Sequence, residues 1–314
     1  MRIPLSLPAG RPFDVLAVGL NSLDLLAVID GHPAANAKTE MHAFAELPGG
    51  QAASSAAALA RLSLRTAYIG RFGDDAFGRR GLDSLRAEGV SVADVVLVPG
   101  ATSQFAVILV DRQSGTRTVV WHRHPGLAMT PADVPAQAVH AARVLHVDCH
   151  ETAAVAAAAA EARRAGTRTV VDVERMRPGM DQLLRHIDVI IAAEGFPAEY
   201  TGAPSLGAAL AALQRDTGAP VVCVTLGHDG SLCLAGGREI RTPAFPLPVV
   251  DSTGAGDVFR AGFIAGWLHG GPSAELEEAL RWANAVAALK CRGLGARTTC
   301  PSLAELHAFL GGRL

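Results

Sequence analysis

Val249-Val250-Asp251-Ser252-Thr253-Gly254-Ala255-Gly256-Asp257-Val258-Phe259 is the most informative stretch of this 314-residue chain. Two β-branched residues end a strand, Gly254 and Gly256 open a turn, and the apolar run over 261–268 continues as a helix. The first amides of such a helix have no intrahelical partner and lie at the positive end of its dipole. The N–H groups of Ala255, Gly256 and Asp257 thus make an anion site, which a phosphate can approach closely across the two glycines. A carboxylate at Asp257 would repel a phosphate that was only bound. It is useful if it must take the proton from a hydroxyl attacking a phosphoryl group. A simple helix cap and an ordinary turn account for the same residues without chemistry, so the rest of the chain must decide.

Upstream, apolar runs at 13–18, 143–147, 169–173, 188–191 and 221–225 alternate with Ala-rich segments of helical length at 51–62, 77–88, 152–165 and 205–216. Runs of this kind read as strands buried on both faces. Their alternation with helices predicts an α/β fold with a central, mostly parallel sheet flanked by helices. Two regions break the pattern. Residues 23–29, 42–46, 104–110 and 116–122 read as strands with no full helix between partners, and 111–115 as a hairpin turn. They predict a small β-sheet inserted at about 23–47 and 103–122 into one domain spanning 1–314. Helices at 255–269, 273–289 and 302–310 close the chain.

Composition narrows the function. With 49% hydrophobic and 18% charged residues the chain can bury a large core and lacks the signature of disorder. A net charge of -2 provides no basic field, so nucleic acid is not an expected partner. Five scattered cysteines without C-x-x-C spacing read as buried thiols of a reducing cytoplasm. The N-terminal residues lack an apolar signal core and no later run reaches about 18 apolar residues, so a membrane role is not expected. The P-loop pattern is absent, and so is G-x-G-x-x-G after the first strand. Trp121-His122-Arg123-His124 is weak as a metal signal and reads better as a polar strand end facing a cleft.

Asp251-Ser252-Thr253-Gly254-Ala255-Gly256-Asp257-Val258-Phe259 closely resembles the C-terminal signature of the ribokinase-like, phosphofructokinase B type carbohydrate kinases. A second signature of that family is matched by Gly49-Gly50 with the helix after it, then Tyr68-Ile69-Gly70-Arg71-Phe72-Gly73-Asp74-Asp75-Ala76-Phe77-Gly78. Two separated motifs in the right order make chance agreement improbable, and the resemblance runs from about 13 to 310. It implies a ribokinase-like fold with a small β lid, ATP and Mg2+ as cofactors, and transfer of the γ-phosphoryl group to a hydroxymethyl oxygen of a small ketose or pentose.

By this resemblance Asp257 is the general base, and the amides of Gly254, Ala255 and Gly256 hold the charge on the transferring phosphoryl group. Asp24 matches the carboxylate that binds substrate hydroxyls. Gly49 and Gly50 match the pair that lets the sugar approach the backbone, with Gln51 and Ser54 beside them at places where relatives carry other polar residues. Thr225, Gly227 and Gly230 resemble the strand-end loop beside ATP, and Asn284 lies where relatives contact adenine. Asp251 and Thr253, with carbonyls near Gly295, match a monovalent-cation site for which K+ is the ion. The family's Asn-x-x-Glu element is altered: its Asn falls on Ala193 and its Glu on Phe196, leaving Glu194 to hold a magnesium-bound water.

Nucleoside kinases share these signatures and stay open as an alternative. So does the sulfofructose kinase branch, whose Gly-Gly-x-Ala-Ala and Ala-Ala-Leu-Lys-Cys runs resemble 49–53 and 287–291, and whose sulfonate-binding Arg aligns with His150. A non-catalytic sugar- or nucleotide-binding regulator is the reading from another class, and the intact Asp257 opposes it. Lysine occurs only at Lys38 and Lys290, so a clamp for a phosphorylated acceptor would need arginines, and a neutral sugar is the expected substrate. A small sheet with an apolar face predicts a homodimer that pairs the two lids.

Overall fold

The computed structural model describes residues 1–311; the end of the anticipated 1–314 domain lies outside them. The chain opens with β1 (Phe13–Val18), then leaves for β2 (Ser22–Ile29) and β3 (Ala43–Gly49) of a second sheet. It returns through α1 (Gln51–Arg61) to β4 (Thr66–Ile69). β5 (Arg71–Gly73), α2 (Ala76–Ala87) and β6 (Val96–Val98) follow, and β7 (Phe105–Asp111) and β8 (Arg117–His122) complete the second sheet. The short α3 (Ala136–His140) leads to β9 (Ala142–Asp148), α4 (Thr152–Ala165), β10 (Arg168–Val173), α5 (Met180–Leu184) and β11 (Val189–Ala193). Next come α6 (Phe196–Thr201), α7 (Leu206–Thr217), β12 (Val221–Thr225), β13 (Ser231–Ala235) and β14 (Arg238–Thr242). α8 (Ala255–Gly270), α9 (Leu276–Lys290) and α10 (Leu303–Gly311) end the described chain.

The main sheet has the order β14-β13-β12-β11-β10-β9-β1-β4, parallel from β12 to β4 and antiparallel at β13 and β14. Successive residues on its central strands serve opposite faces, as the period of two requires. Val170 and Val189 join the core under α1, α8 and α9, whereas Val171 and Ile190 join the core under α4, α5 and α7. Strands filled on both sides in this way carry mostly apolar runs, which is why they were legible. α8 lies close on α9 because Gly262 and Gly266 have no side chain; a Cβ there would come within 2.8 Å of Ala283 Cα and Ala279 Cα. Among the described residues no helix is long and apolar enough to cross a membrane.

The second sheet has the order β3-β2-β7-β8. Its four strands begin and end within a few residues of the expected bounds, and residues 111–115 form the anticipated turn, with Gly115 N donating to Asp111 O at 2.8 Å. The hairpin β13–β14 was not anticipated, nor was the β5–β6 pair. The helix expected from 273 starts at Leu276, because Pro272 sits in a 3-10 turn over Gly271–Ser273.

Candidate active site

The parallel strands end along one edge, and the residues just past them share a cleft of about 460 Å³: Leu20 after β1, His150 after β9, Glu174 after β10 and Thr225 at the end of β12. The carboxyl edge of an open parallel sheet is where such folds bind ligands. The small sheet roofs this cleft with Asp24, Ala106, Ile108, Val119 and Trp121, all on one face by register. Its floor is Gly254, which caps α8, with Gly256 and Asp257 of that helix's first turn. A second cavity of about 600 Å³ adjoins it and shares Thr225, Ser252 and Gly256; Gly227, Gly230, Ala255 and Asn284 line it. The structure therefore brings the expected nucleotide residues together on one side of Asp257 and Asp24, Gly50, Gln51 and His150 on the other.

Gly254 begins α8 with φ 74°, and a Cβ there would lie 2.6 Å from Ala296 O, so the turn needs glycine on both counts. The Ala255 N–H is drawn back to Ser252 O at 3.2 Å, which leaves Gly256 and Asp257 as the helix-start amides aimed at an anion. Gly256 is small for a reason the motif did not reveal: a Cβ would stand 2.6 Å from Arg260 Nη1. Arg260, one turn on and buried, pairs with buried Asp172 at 2.8 Å and donates to Ile191 O at 3.0 Å. Burial raises the Asp257 carboxyl above the ordinary range; Arg260 pulls it back, and Asp148 and Glu174 push it further up. A carboxylate raised in this way is a better proton acceptor near neutral pH than an ordinary aspartate. Ser55 Oγ on α1 donates to Asp257 O at 2.8 Å and fixes the start of α8 from below.

At the other end Asp24 is buried and accepts from Ser22 Oγ at 2.7 Å. Burial lifts its carboxyl to about 6, against smaller lowering effects of Ser22 and Arg297. Gly49 pairs with Ser22 in the β2–β3 ladder, next to the Asp24 side chain, and a Cβ on Gly49 would come within 2.1 Å of Asp24 Oδ2. That glycine makes room for the carboxylate as much as for a ligand. Gly50, at φ 89°, packs against Asn21, where a Cβ would meet Cα at 2.4 Å. Gln51 Oε1 and Gln104 Oε1 are buried without a hydrogen-bond partner, and both residues line the cleft. Ser54 is fully buried with its hydroxyl unpartnered and is not among the cleft-lining residues.

His150 lines the cleft and its Nε2 lies 3.2 Å from Arg177 Nη2. Burial, then Arg177 and Arg123, push the imidazole down to about 3, so it is neutral. Asp148, which sequence reasoning missed, holds the cleft wall: its carboxylate accepts from Leu20 N at 2.6 Å and His150 N at 3.1 Å. Glu194 does not line the cleft, whereas Glu174 does. Asp251 is buried behind the turn, with Oδ1 accepting from Thr253 N at 2.8 Å and Thr253 Oγ1 at 2.7 Å, and Oδ2 accepting from Gly295 N at 2.8 Å.

A helix-start anion site, a raised carboxylate and two half-sites meeting at that carboxylate define a small-molecule kinase. The chain belongs to the pfkB family of carbohydrate kinases, whose sequence profile matches residues 13–303. It is 30% identical over 308 residues to the ATP-dependent ribose-1-phosphate kinase of Halopiger xanaduensis, covering 95% of this chain and 98% of that protein. The nucleoside kinase of Methanothermobacter thermautotrophicus is also 30% identical, over 93% of this chain and 94% of its own. The structure of Arabidopsis thaliana ribokinase complexed with ribose and ATP matches with a TM-score of 0.80 at 26% identity, over 95% of this chain and 98% of that one. The ribokinase-like fold and the ATP-dependent carbohydrate kinase class implied by the two signatures both hold.

Proposed function

We propose that the protein transfers the γ-phosphoryl group of ATP to a hydroxymethyl oxygen of a neutral ketose or pentose. The observation that carries this is the place of Asp257, in the first turn of α8, between the cavity bounded by Asn284 and the cleft bounded by Asp24. Asp257 takes the proton of the acceptor hydroxyl as its oxygen forms a bond to the γ-phosphorus. The bond from that phosphorus to the bridging oxygen breaks, and ADP leaves. Charge on the transferring group is met by the amides of Gly256 and Asp257. Asp24 holds the sugar through its hydroxyls.

Magnesium bound with the nucleotide would supply neutralisation of phosphate charge, and Glu174 is the cleft carboxylate that could hold one of its waters. Among the described residues no three acidic, histidine or cysteine side chains form a metal cage, and magnesium takes few protein ligands. Glu174, at the cleft, suits a magnesium-bound water better than Glu194 does. The outer face of the small sheet exposes Phe44, Val107 and Val120, on alternate residues from those that roof the cleft. This face supports a homodimer in which two lids cover each other.

One observation favours a second reading, an acceptor that carries a phosphate or sulfonate: Arg175 lines the cleft and Arg177 backs His150. Glu174, 3.7 Å away, offsets the charge of Arg175, whereas Arg117 donates to the neutral Ser252 Oγ at 2.9 Å and keeps its charge at the cleft. ADP formation from ATP and magnesium with a panel of neutral sugars, sugar phosphates and nucleosides tests the assignment. A neutral sugar is expected to give the highest kcat/KM. A sugar phosphate better by about tenfold, or 1.4 kcal/mol, would replace it, and no acceptor-dependent ADP from any compound would remove the kinase reading.

A further inference from the structure

The turn that carries Asp257 is held from behind by α9. Val250 N and Asp251 N donate to Cys291 O at 2.8 and 3.3 Å. Lys290, the residue before, is completely buried, and its Nζ donates to Asp251 O at 2.8 Å. Both carboxylate oxygens of Asp251 are engaged by Thr253 and Gly295. Asp251 and Thr253 are the residues that the resemblance assigned to potassium, and they do not fit that ion. A potassium ion there would compete for a carbonyl that already accepts from an ammonium, and it would meet that ammonium's charge at close range. Two like charges held that close repel each other far more strongly in a protein interior than in water.

We propose that the Lys290 ammonium is the built-in cation of the phosphate turn, so that this enzyme works without a monovalent ion. Lys290 is a positioning residue. Its charge holds the Asp251 carbonyl toward the protein interior, and the turn that follows is thereby set with the Gly256 and Asp257 N–H groups toward the cleft. The negative charge of Asp251 offsets part of the cost of burying the ammonium, which burial on balance holds below the usual lysine range. The activity readout below rests on the kinase reading of the site; the melting readout does not.

The test compares potassium with tetramethylammonium salts at an equal ionic strength of about 0.1 M, so that screening is matched. Wild-type kcat/KM is expected to agree within about twofold between the salts, with an unchanged Tm. Lys290→Met, which keeps the bulk and removes the charge, is expected to lose about tenfold or more in kcat. Potassium or ammonium should restore part of that loss and raise the variant's Tm. Lys290→Arg, which keeps the charge, should remain insensitive to the salt. Potassium activation of the wild type by about fivefold or more, or a rise in its Tm with potassium, overturns the proposal. So does a folded Lys290→Met protein whose Tm and rate ignore both ions, because the lysine would then only fill space.

Discussion

Behind the phosphate end of the cleft, Asp251 and Thr253 already have hydrogen-bond partners within the protein, and Arg260 is paired with Asp172, although Arg260 Nε and Asp172 Oδ2 are left without one. At the acceptor end, Gln51 Oε1 and Gln104 Oε1 are buried with none, and Val119 and Trp121 of the roof are 45% and 59% exposed. Buried polar groups without partners are uncommon in native proteins, and a cluster of them in a cleft marks groups that a ligand completes. The Asp251–Thr253 turn at the chemical end is therefore preorganised, as stabilisation of a developing charge demands. The acceptor end, roofed by the small sheet, keeps buried acceptor atoms free for a ligand's hydrogen bonds.

That contrast can be broken first at Arg260. Arg260→Met leaves Asp172 buried without its counter-charge, a change that costs about 3–5 kcal/mol. A fall of that size should appear in the denaturant midpoint with the slope unchanged. A loss below about 1 kcal/mol would mean that the pair does not organise the phosphate end.

Asp24→Asn sharpens the comparison from the other side. The wild-type carboxyl is lifted from 3.8 to about 6 by burial. The folded state therefore binds its proton more tightly than the unfolded chain does. That contribution is present in full below about pH 4 and is lost as pH rises through about 6. Above that range the ionised group costs about 3 kcal/mol. The Asn variant should thus be more stable than wild type at pH 7.5, should lose this advantage near pH 4, and should show a sugar KM raised about tenfold with the ATP KM unchanged. An increase confined to the KM for ATP would reverse the assignment of the two ends. The smallest effect is expected on the outer face of the roof. Val120→Lys should dissociate the proposed dimer in sedimentation while changing kcat by less than about threefold. A wild type that sediments only as a monomer at micromolar concentration would end the lid-pairing proposal.

How much of this was legible follows from how local each signal is. The Gly254–Gly256 turn, the buried strands and the alternating strands of the small sheet are written in neighbouring residues, and they stand within a few positions of their expected bounds. Arg260 with Asp172, Ser55 with Asp257 and Lys290 with Asp251 join residues far apart in the chain, and spacing does not encode such pairs. Two hints were available. A serine pair interrupts the alanines of α1, and an arginine follows Phe259 in an otherwise apolar helix. Gly256 shows the limit of a motif reading, because its smallness serves Arg260 as well as a phosphate. The β13–β14 hairpin, which turns at Gly236-Gly237 between two short strands, escaped, and the Gly227 to Gly230 connection that leads from β12 into β13 was read only as a nucleotide loop.

The central claim is that Asp257 acts on the acceptor proton and not on nucleotide binding, and one variant measured two ways tests it most directly. Asp257→Asn should bind ATP as tightly as wild type or more so, by calorimetry, because a negative charge beside the phosphates is gone. In a single turnover with the preferred sugar it should transfer the phosphoryl group about 10²–10⁴ times more slowly. A single-turnover rate near that of wild type would contradict the account, as would a slow rate fully explained by lost ATP affinity.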